Sequence, residues 1–187
     1  MLTTINYLFL LLFPLIIISF FMLSSIIYSD IKGIVFIIGL LIALVTTNLL
    51  GNSFSIFKFL NNKLDVCNLV HIDFLSNTLP LNQITIGFSL AYFLYIAFIN
   101  NFLIRNMFII ILLFVISMGD IIWNINNSCF NYLQLFFGFI LGSGFGLLWA
   151  LIINSFNQKY LQYFTGIENN NQCTMPVRRT FKCKTKK

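Results

Sequence analysis

The feature that most constrains this chain is a set of five long apolar runs that carry almost no charge. The hydrocarbon core of a bilayer takes about 20 residues of helix to cross, and each run is close to that length. The runs cover residues 5–28, 33–50, 84–103, 107–123 and 132–153. Apolar and polar residues do not alternate along them, so helices are favoured over a barrel. The sequence therefore predicts an all-α integral membrane protein with about five transmembrane helices.

The composition agrees with a membrane environment. Of the 187 residues, 59% are hydrophobic and only 9% are charged, which is too little charge to cover a soluble globule of this size. Phe, Ile, Asn and Lys are over-used, and all four are encoded by A/T-rich codons, which points to an AT-rich genome such as that of a virus, a parasite or an organelle. The first run lacks the basic start and the cleavage site of a signal peptide, so we expect it to remain as a helix.

The chain divides into a membrane domain, residues 1–156, and a polar tail, residues 157–187. The tail is basic and lacks apolar periodicity, so we predict it to be disordered and, by the positive-inside rule, cytosolic. Five spans then place the 51–83 and 123–131 loops on the opposite side. The short loop contains no Lys or Arg, as the rule requires, whereas Lys58 and Lys63 in the long loop oppose it. The expected location is a host endomembrane, or the virion membrane if the chain is viral.

The basic tail predicts contact with anionic lipid headgroups, or with another membrane or capsid-type protein. Phe181 stands alone there, without the interleaved aromatics of RNA-binding motifs, so nucleic acid is not an expected partner. The lipid bilayer is the general partner.

Four cysteines follow the same division. Cys67 and Cys129 fall in the two outer loops and can form a disulfide if that side is oxidising, whereas Cys173 and Cys183 in the tail are expected to be reduced. Four unpaired thiols are the alternative. We predict no metal site and no cofactor, because the one histidine, His71, lies across the membrane from the tail cysteines.

The last run carries the most regular pattern. Small residues recur at every fourth position and form a ridge along one helix face: Gly138, Gly142, Gly146 and Ala150, with Gln134 and Asn154 at its ends. Such a ridge lets another helix approach closely. We predict that it packs against the third or the fourth run.

Together with its flanks, this run resembles the final helix of a known enzyme family. The segment NYLQLFFGFILGSGFGLLW, residues 131–149, and the segment LPLNQITIGF, residues 79–88, resemble motifs of the type 2 phosphatidic acid phosphatase (PAP2) superfamily, particularly its dolichyl-diphosphatase-like branch. The resemblance covers residues 48–156 and implies a PAP2-like helix bundle. It also implies a lipid phosphate or diphosphate as the family's substrate.

The resemblance further implies that the catalytic residues have been lost. Members of the family use a histidine nucleophile, a second histidine as general acid and a clamp of Lys and Arg, without a metal. By spacing, the acid position falls on Gln83 and the nucleophile position on Phe130, and neither side chain can do that chemistry. Asp120 stands where an arginine motif is expected, whereas Gln134 agrees with the family. We therefore expect a pseudophosphatase.

Two residues leave alternatives open. His71, followed by Asp73, is either a solvated loop histidine or a replacement base in an active lipid phosphatase. Asp120 is a functional candidate because it is ionisable and near a membrane span, but its position close to the interface favours plain solvation. Lys58 and Lys63 are the remaining candidates for binding a headgroup. Three functions therefore stand: a structural or interaction component of a membrane, an active lipid phosphatase with replaced residues, or an unrelated small hydrophobic subunit of a membrane complex.

Overall fold

The computed structural model describes residues 2–27, 31–53, 79–101, 103–156, 171–174 and 182–185. Within these ranges the chain forms five long helices, a short 3-10 helix and two short strands. The helices are α1 Leu2–Ile27, α2 Lys32–Ser53, α3 Leu81–Ile99, α4 Met107–Asn126 and α5 Tyr132–Ser155, with the 3-10 helix Ile104–Asn106 in front of α4. The strands are β1 Asn171–Thr174 and β2 Lys182–Thr185.

The helical class predicted from the apolar runs is confirmed. In the described part of the chain, four helices are long and apolar enough to cross a membrane: α2, α3, α4 with its 3-10 turn, and α5. The part of α1 whose side chains are described, Leu12–Ile27, is apolar but shorter. Four described helices are therefore compatible with a multi-spanning membrane protein, and the fifth span remains a prediction.

The boundaries of α3 and α4 differ from the sequence prediction at three points. Helix α3 begins at Leu81 rather than at residue 84, because Pro80 precedes it and the polar residues Asn82 and Gln83 belong to its first turn. It ends at Ile99 rather than at residue 103, because Asn100 leaves the helical conformation and Asn101 takes a positive φ of 57°. Helix α4 extends to Asn126, about one turn beyond the predicted end.

Helices α3 and α5 run parallel and pack with their backbones in close approach. Three positions on α5, each one turn apart, face three positions on α3 with the same spacing: Gly138 faces Pro80, Gly142 faces Ile84 and Gly146 faces Phe88. A Cβ atom on Gly142 would lie only 2.8 Å from the Cα of Ile84. The ridge of small residues therefore packs against α3, which corresponds to the third run.

An aromatic core packs α1 and α2 against α3. Phe36 of α2 lies with its ring centroid 5.1 Å from Tyr92 and 5.5 Å from both Phe88 and Phe93 of α3, and 4.4 Å from Phe21 of α1. Tilted and edge-on rings at these distances are favourable beyond the area that they bury. The indole nitrogen of Trp149 on α5 also donates a hydrogen bond to the Val35 carbonyl of α2, at 3.2 Å.

These contacts set the direction of each helix. Because the start of α2 lies beside the second half of α3 and of α5, α2 runs antiparallel to both. Helix α4 also runs antiparallel to α3, so the starts of α3 and α5 lie at the same end of the bundle as the ends of α2 and α4. We call this the Asp120 end, and the opposite end, where α3 ends and α4 begins, the Arg105 end.

Where their side chains are described, the outer faces of α1, α2, α4 and α5 carry exposed Leu, Ile and Phe residues, such as Phe20, Ile38, Phe108 and Phe136. Apolar surface of this extent is typical of contact with a membrane rather than with water. Helix α3, in contrast, is largely covered by the other helices.

Within the tail, the structure describes two short segments. Strands β1 and β2 pair antiparallel, with Cys173 directly opposite Cys183. Pairing of this kind depends on backbone hydrogen bonds, which do not require the apolar periodicity that the tail lacks. The disorder predicted for the tail stays a prediction, because the rest of the tail lies outside the described residues.

Candidate functional site

A cluster of polar side chains lies inside the bundle at the Asp120 end, between the first turn of α3 and the last turns of α4. Asn82 and Gln83 come from α3, and three further residues come from α4: Ser117, Asp120 and Asn124. The α4 residues follow one another at intervals of three and four positions, so they lie on one face of that helix. That face is turned toward α3 and away from the lipid-exposed side of α4.

The carboxylate of Asp120 is the centre of this cluster. One of its oxygens accepts a hydrogen bond from the Gln83 amide at 2.8 Å, and the other accepts one from the Asn82 amide at 3.1 Å. The backbone carbonyl of the same residue accepts from the Asn124 amide at 2.8 Å. Both carboxylate oxygens are therefore engaged by neutral donors from α3.

The Gln83 amide links the two helices a second time. Its nitrogen also donates to the backbone carbonyl of Ser117 at 3.1 Å, and its oxygen accepts from the Ser117 hydroxyl at 3.1 Å. Gln83 has two N–H donors and one carbonyl acceptor, and all of these take part. The side chain is 0% exposed, so these hydrogen bonds replace the water that burial removes.

The expectation that Asp120 is solvated near the interface is wrong. The residue is 0% exposed, because its position on α4 faces the first turn of α3 rather than the end of the helix. Burial of a carboxylate in a bilayer-spanning bundle is expensive unless hydrogen-bond donors surround it, and Asn82 and Gln83 supply those donors.

Chemically, this arrangement is suited to holding helices together rather than to binding phosphate. Phosphate recognition uses cationic or N–H donors, whereas the group at the centre of this cluster is a carboxylate, whose charge would repel a phosphate. Hydrogen bonds within a fully satisfied buried network reinforce one another and specify one arrangement of the core. The cluster therefore acts as a specific polar contact between α3 and α4.

Two further positions that the PAP2 resemblance singles out, Phe130 and Gln134, lie beside this cluster, at the turn between α4 and α5. Phe130 is half-buried in that turn. Gln134 is buried, and its side-chain oxygen accepts from the backbone N–H of Asn131 at 3.0 Å, while the Asn131 side chain caps the start of α5. This is a capping box, so Gln134 serves to start α5.

The other sequence candidates, Lys58, Lys63 and His71, lie outside the described residues. The helix ends on either side of their loop, Ser53 of α2 and Leu81 of α3, are at the Asp120 end. The described chain therefore stops after α2 and resumes before α3 at the end of the bundle that carries the polar cluster and the α4–α5 turn.

Cys129 in the α4–α5 turn is part of a disulfide. Its partner lies outside the residues whose side chains are described, so the pairing with Cys67 remains a prediction. The Cys129 side chain is buried, and the backbone N–H of Cys129 donates to the Asn124 carbonyl at 3.0 Å. The disulfide therefore anchors a turn that is also tied to the polar cluster.

Sequence reasoning missed three members of the cluster: Asn82, Ser117 and Asn124. A signal for the α4 members was present, because polar residues at positions 117, 120 and 124 share one face of an otherwise apolar run. In the described residues no group of three or more His, Cys, Asp and Glu side chains is placed to hold a metal ion.

Comparison with protein-family models, with curated proteins and with solved structures finds no match to this chain.

Proposed function

We propose that this chain is a membrane protein with a PAP2-like helix bundle that has lost catalysis and acts as a structural or interaction component of its membrane. The observation that carries the proposal is the hydrogen bond between Gln83 and Asp120. The resemblance assigns the general acid to position 83 and the arginine motif to the neighbourhood of position 120. Contact between these two positions is what a shared catalytic site would require, and it supports that assignment.

The same contact supports the loss of activity. An amide is not a proton donor for a leaving oxygen at neutral pH, and a carboxylate in place of an arginine repels the phosphoryl group. Loss of a general acid alone costs typically about 10² to 10⁴-fold in rate, which leaves a slow enzyme. Replacement of the nucleophile by Phe130 removes the covalent route as well, because a phenyl ring has no lone pair to attack phosphorus.

The proposed orientation places the Arg105 end and the C-terminus in the cytosol. Two independent features support it: Arg105 lies at that end, as the positive-inside rule favours, and the Cys129 disulfide lies at the other end, as an oxidising compartment favours. Helix α5 ends at the Arg105 end, so the basic tail follows on the cytosolic side. There it is available to a membrane or capsid-type protein partner, in a host endomembrane or a virion membrane.

The test is phosphate release by the purified full-length protein in detergent, with phosphatidic acid and with an isoprenyl diphosphate as substrates. We expect no release above that of a protein-free blank. A His71→Ala variant is measured alongside. Turnover that disappears in this variant would mean that the loop histidine has become the catalyst, and turnover that persists in it would assign catalysis to another residue. Either result would overturn the proposal.

A further inference from the structure

A lateral cavity lies between α1, α3 and α4, in the half of the bundle toward the Arg105 end. Its volume is about 300 Å³. Apart from Ser89 on α3 and Asn106 at the start of α4, all its lining side chains are Phe, Ile or Leu. It is separate from the polar cluster, whose residues do not line it.

The cavity opens sideways toward lipid. Neighbouring residues on α1 show this: Phe21 lies on its inner wall and is 5% exposed, whereas Phe20 lies on its rim and is 60% exposed. On α4, Leu113 is buried on the inner wall, and Ile109 and Leu112 form an exposed rim. The rim faces the hydrocarbon of a surrounding bilayer, so hydrocarbon chains have direct access.

Water is a poor occupant of this space. A buried water needs two to four polar partners, and the hydroxyl of Ser89 already donates to the Thr85 carbonyl at 2.8 Å. An empty space of this size would forfeit the dispersion contacts of its aromatic walls. If a methylene group takes up about as much volume as a water molecule in the liquid, ~30 Å³, the cavity holds about ten methylene groups. That corresponds to a large part of one acyl chain.

The Arg105 end of the cavity supplies the features that a phosphate recognises. Asn106 lines the cavity and is buried, and the adjacent Arg105 is exposed. A guanidinium group binds phosphate through two parallel hydrogen bonds. The 3-10 turn Ile104–Asn106 leads directly into α4 at Met107, so the start of this helical segment lies at the same end of the cavity. The single carboxylate among the described residues, Asp120, is at the opposite end.

We propose that this cavity is a binding site for an anionic bilayer phospholipid, with one acyl chain between α1 and α4 and the phosphate held by Arg105. The site is at the opposite end of the bundle from the polar cluster. It does not depend on whether the chain has lost catalysis.

The experiment uses the full-length protein in nanodiscs of phosphatidylcholine that contain a small fraction of phosphatidylglycerol with a photoreactive diazirine midway along one acyl chain. After illumination, mass spectrometry locates the labelled residues. We expect labels to concentrate on the residues of α1 and α4 that line the cavity, such as Ile16, Ile17 and Phe20 on α1 and Ile109, Ile110 and Leu113 on α4. Labels spread evenly over the lipid-facing surface of all helices would overturn the proposal without any variant.

Two matched variants test the cavity itself. In Ile110→Trp a larger side chain fills the cavity, whereas Ile111→Trp makes the same change at an exposed position that does not line it. We expect the first variant to lose most of the cavity labelling and the second to keep it. Equal labelling of the two variants would refute a chain-binding cavity.

A second pair tests the headgroup. Arg105→Gln is expected to lower phosphatidylglycerol labelling about fivefold, the effect of one basic residue near an anionic surface, and to lower labelling by a matching diazirine phosphatidylcholine much less. Arg105→Lys keeps the charge and should keep part of the preference. An unchanged preference in Arg105→Gln would overturn the assignment of the phosphate to this residue.

Discussion

Replacement of Gly142 by alanine tests the parallel α3–α5 packing most directly. The added Cβ would lie 2.8 Å from the Cα of Ile84 and 2.9 Å from its carbonyl carbon, and closer still to the carbonyl oxygen. The optimum separation of two carbon atoms is about 3.5–4.0 Å, so the two helices must move apart by roughly 1 Å. Since the obstructing atoms belong to the α3 backbone, no side-chain rotation can relieve the contact.

The magnitude follows from two opposing terms. Overpacking of a close-packed interior costs about 1–3 kcal/mol, whereas Gly to Ala in a helix gains up to about 1 kcal/mol. Gly144 lies on the same helix but has no atom within 4 Å of an added Cβ. Gly144→Ala therefore has the helix gain without the collision. The difference between the two variants isolates the packing term, which we expect to be about 1–3 kcal/mol.

Thermal unfolding of the two variants in the same detergent, followed by tryptophan emission and by the monodisperse fraction in gel filtration, measures this difference. For a chain of this size, 1 kcal/mol corresponds to about 2–4 °C in Tm, so Gly142→Ala should melt roughly 2–12 °C below Gly144→Ala. Gly142→Leu should lose assembly altogether. Equal melting temperatures for the two alanine variants would show that α3 does not approach this face, and the proposed bundle would lose its main contact.

Two further predictions concern the polar cluster and the orientation. Gln83→Leu removes a donor to the buried carboxylate of Asp120 and should destabilise the protein by about 1–3 kcal/mol. Asp120→Asn keeps an acceptor at that position and should cost less. If Asp120→Asn melts at a lower temperature than Gln83→Leu, the hydrogen-bond network is contradicted. An epitope tag placed after Lys187 should be cleaved by protease added to the cytosolic side of intact membranes, and cleavage only from the lumenal side would reverse the topology.

The sequence predicts those parts of the fold that depend on local periodicity. Five apolar runs predicted five helices, because the bilayer requires backbone hydrogen bonds to be satisfied within each segment. The small residues at every fourth position predicted a packed face on α5, because residues at that spacing lie along one side of a helix. The sequence left two helices, the third and the fourth, as possible partners of this face. The pattern of one helix does not specify which neighbour supplies the matching surface.

The polar cluster escaped prediction because it depends on contacts between helices. In the sequence, Asn82 and Gln83 look like the end of a loop. In the structure they form the first turn of α3, because α4 supplies hydrogen-bond partners for their amide groups. Asp120 looked solvated because it lies near the end of an apolar run. Asp120 is buried because its side of α4 faces α3. The distance of Asp120 from the end of the apolar run does not show which side of α4 faces α3.

The burial of the helices explains why the polar residues are where they are. Of the four candidate spans, α3 has the lowest mean hydropathy. Within its most apolar stretch, 67% is buried inside the protein, whereas the corresponding share for α4 is 22%. A helix that touches lipid must be apolar around its surface, whereas a helix enclosed by other helices can carry Gln83, Thr85 and Ser89, provided that each finds a hydrogen-bond partner. Helix α3 is therefore the central helix, on which α5 packs through backbone contact and α4 through hydrogen bonds. It follows that changes on α3 should weaken contacts with both neighbours at once, whereas changes on the outer face of α4 should affect lipid contact alone.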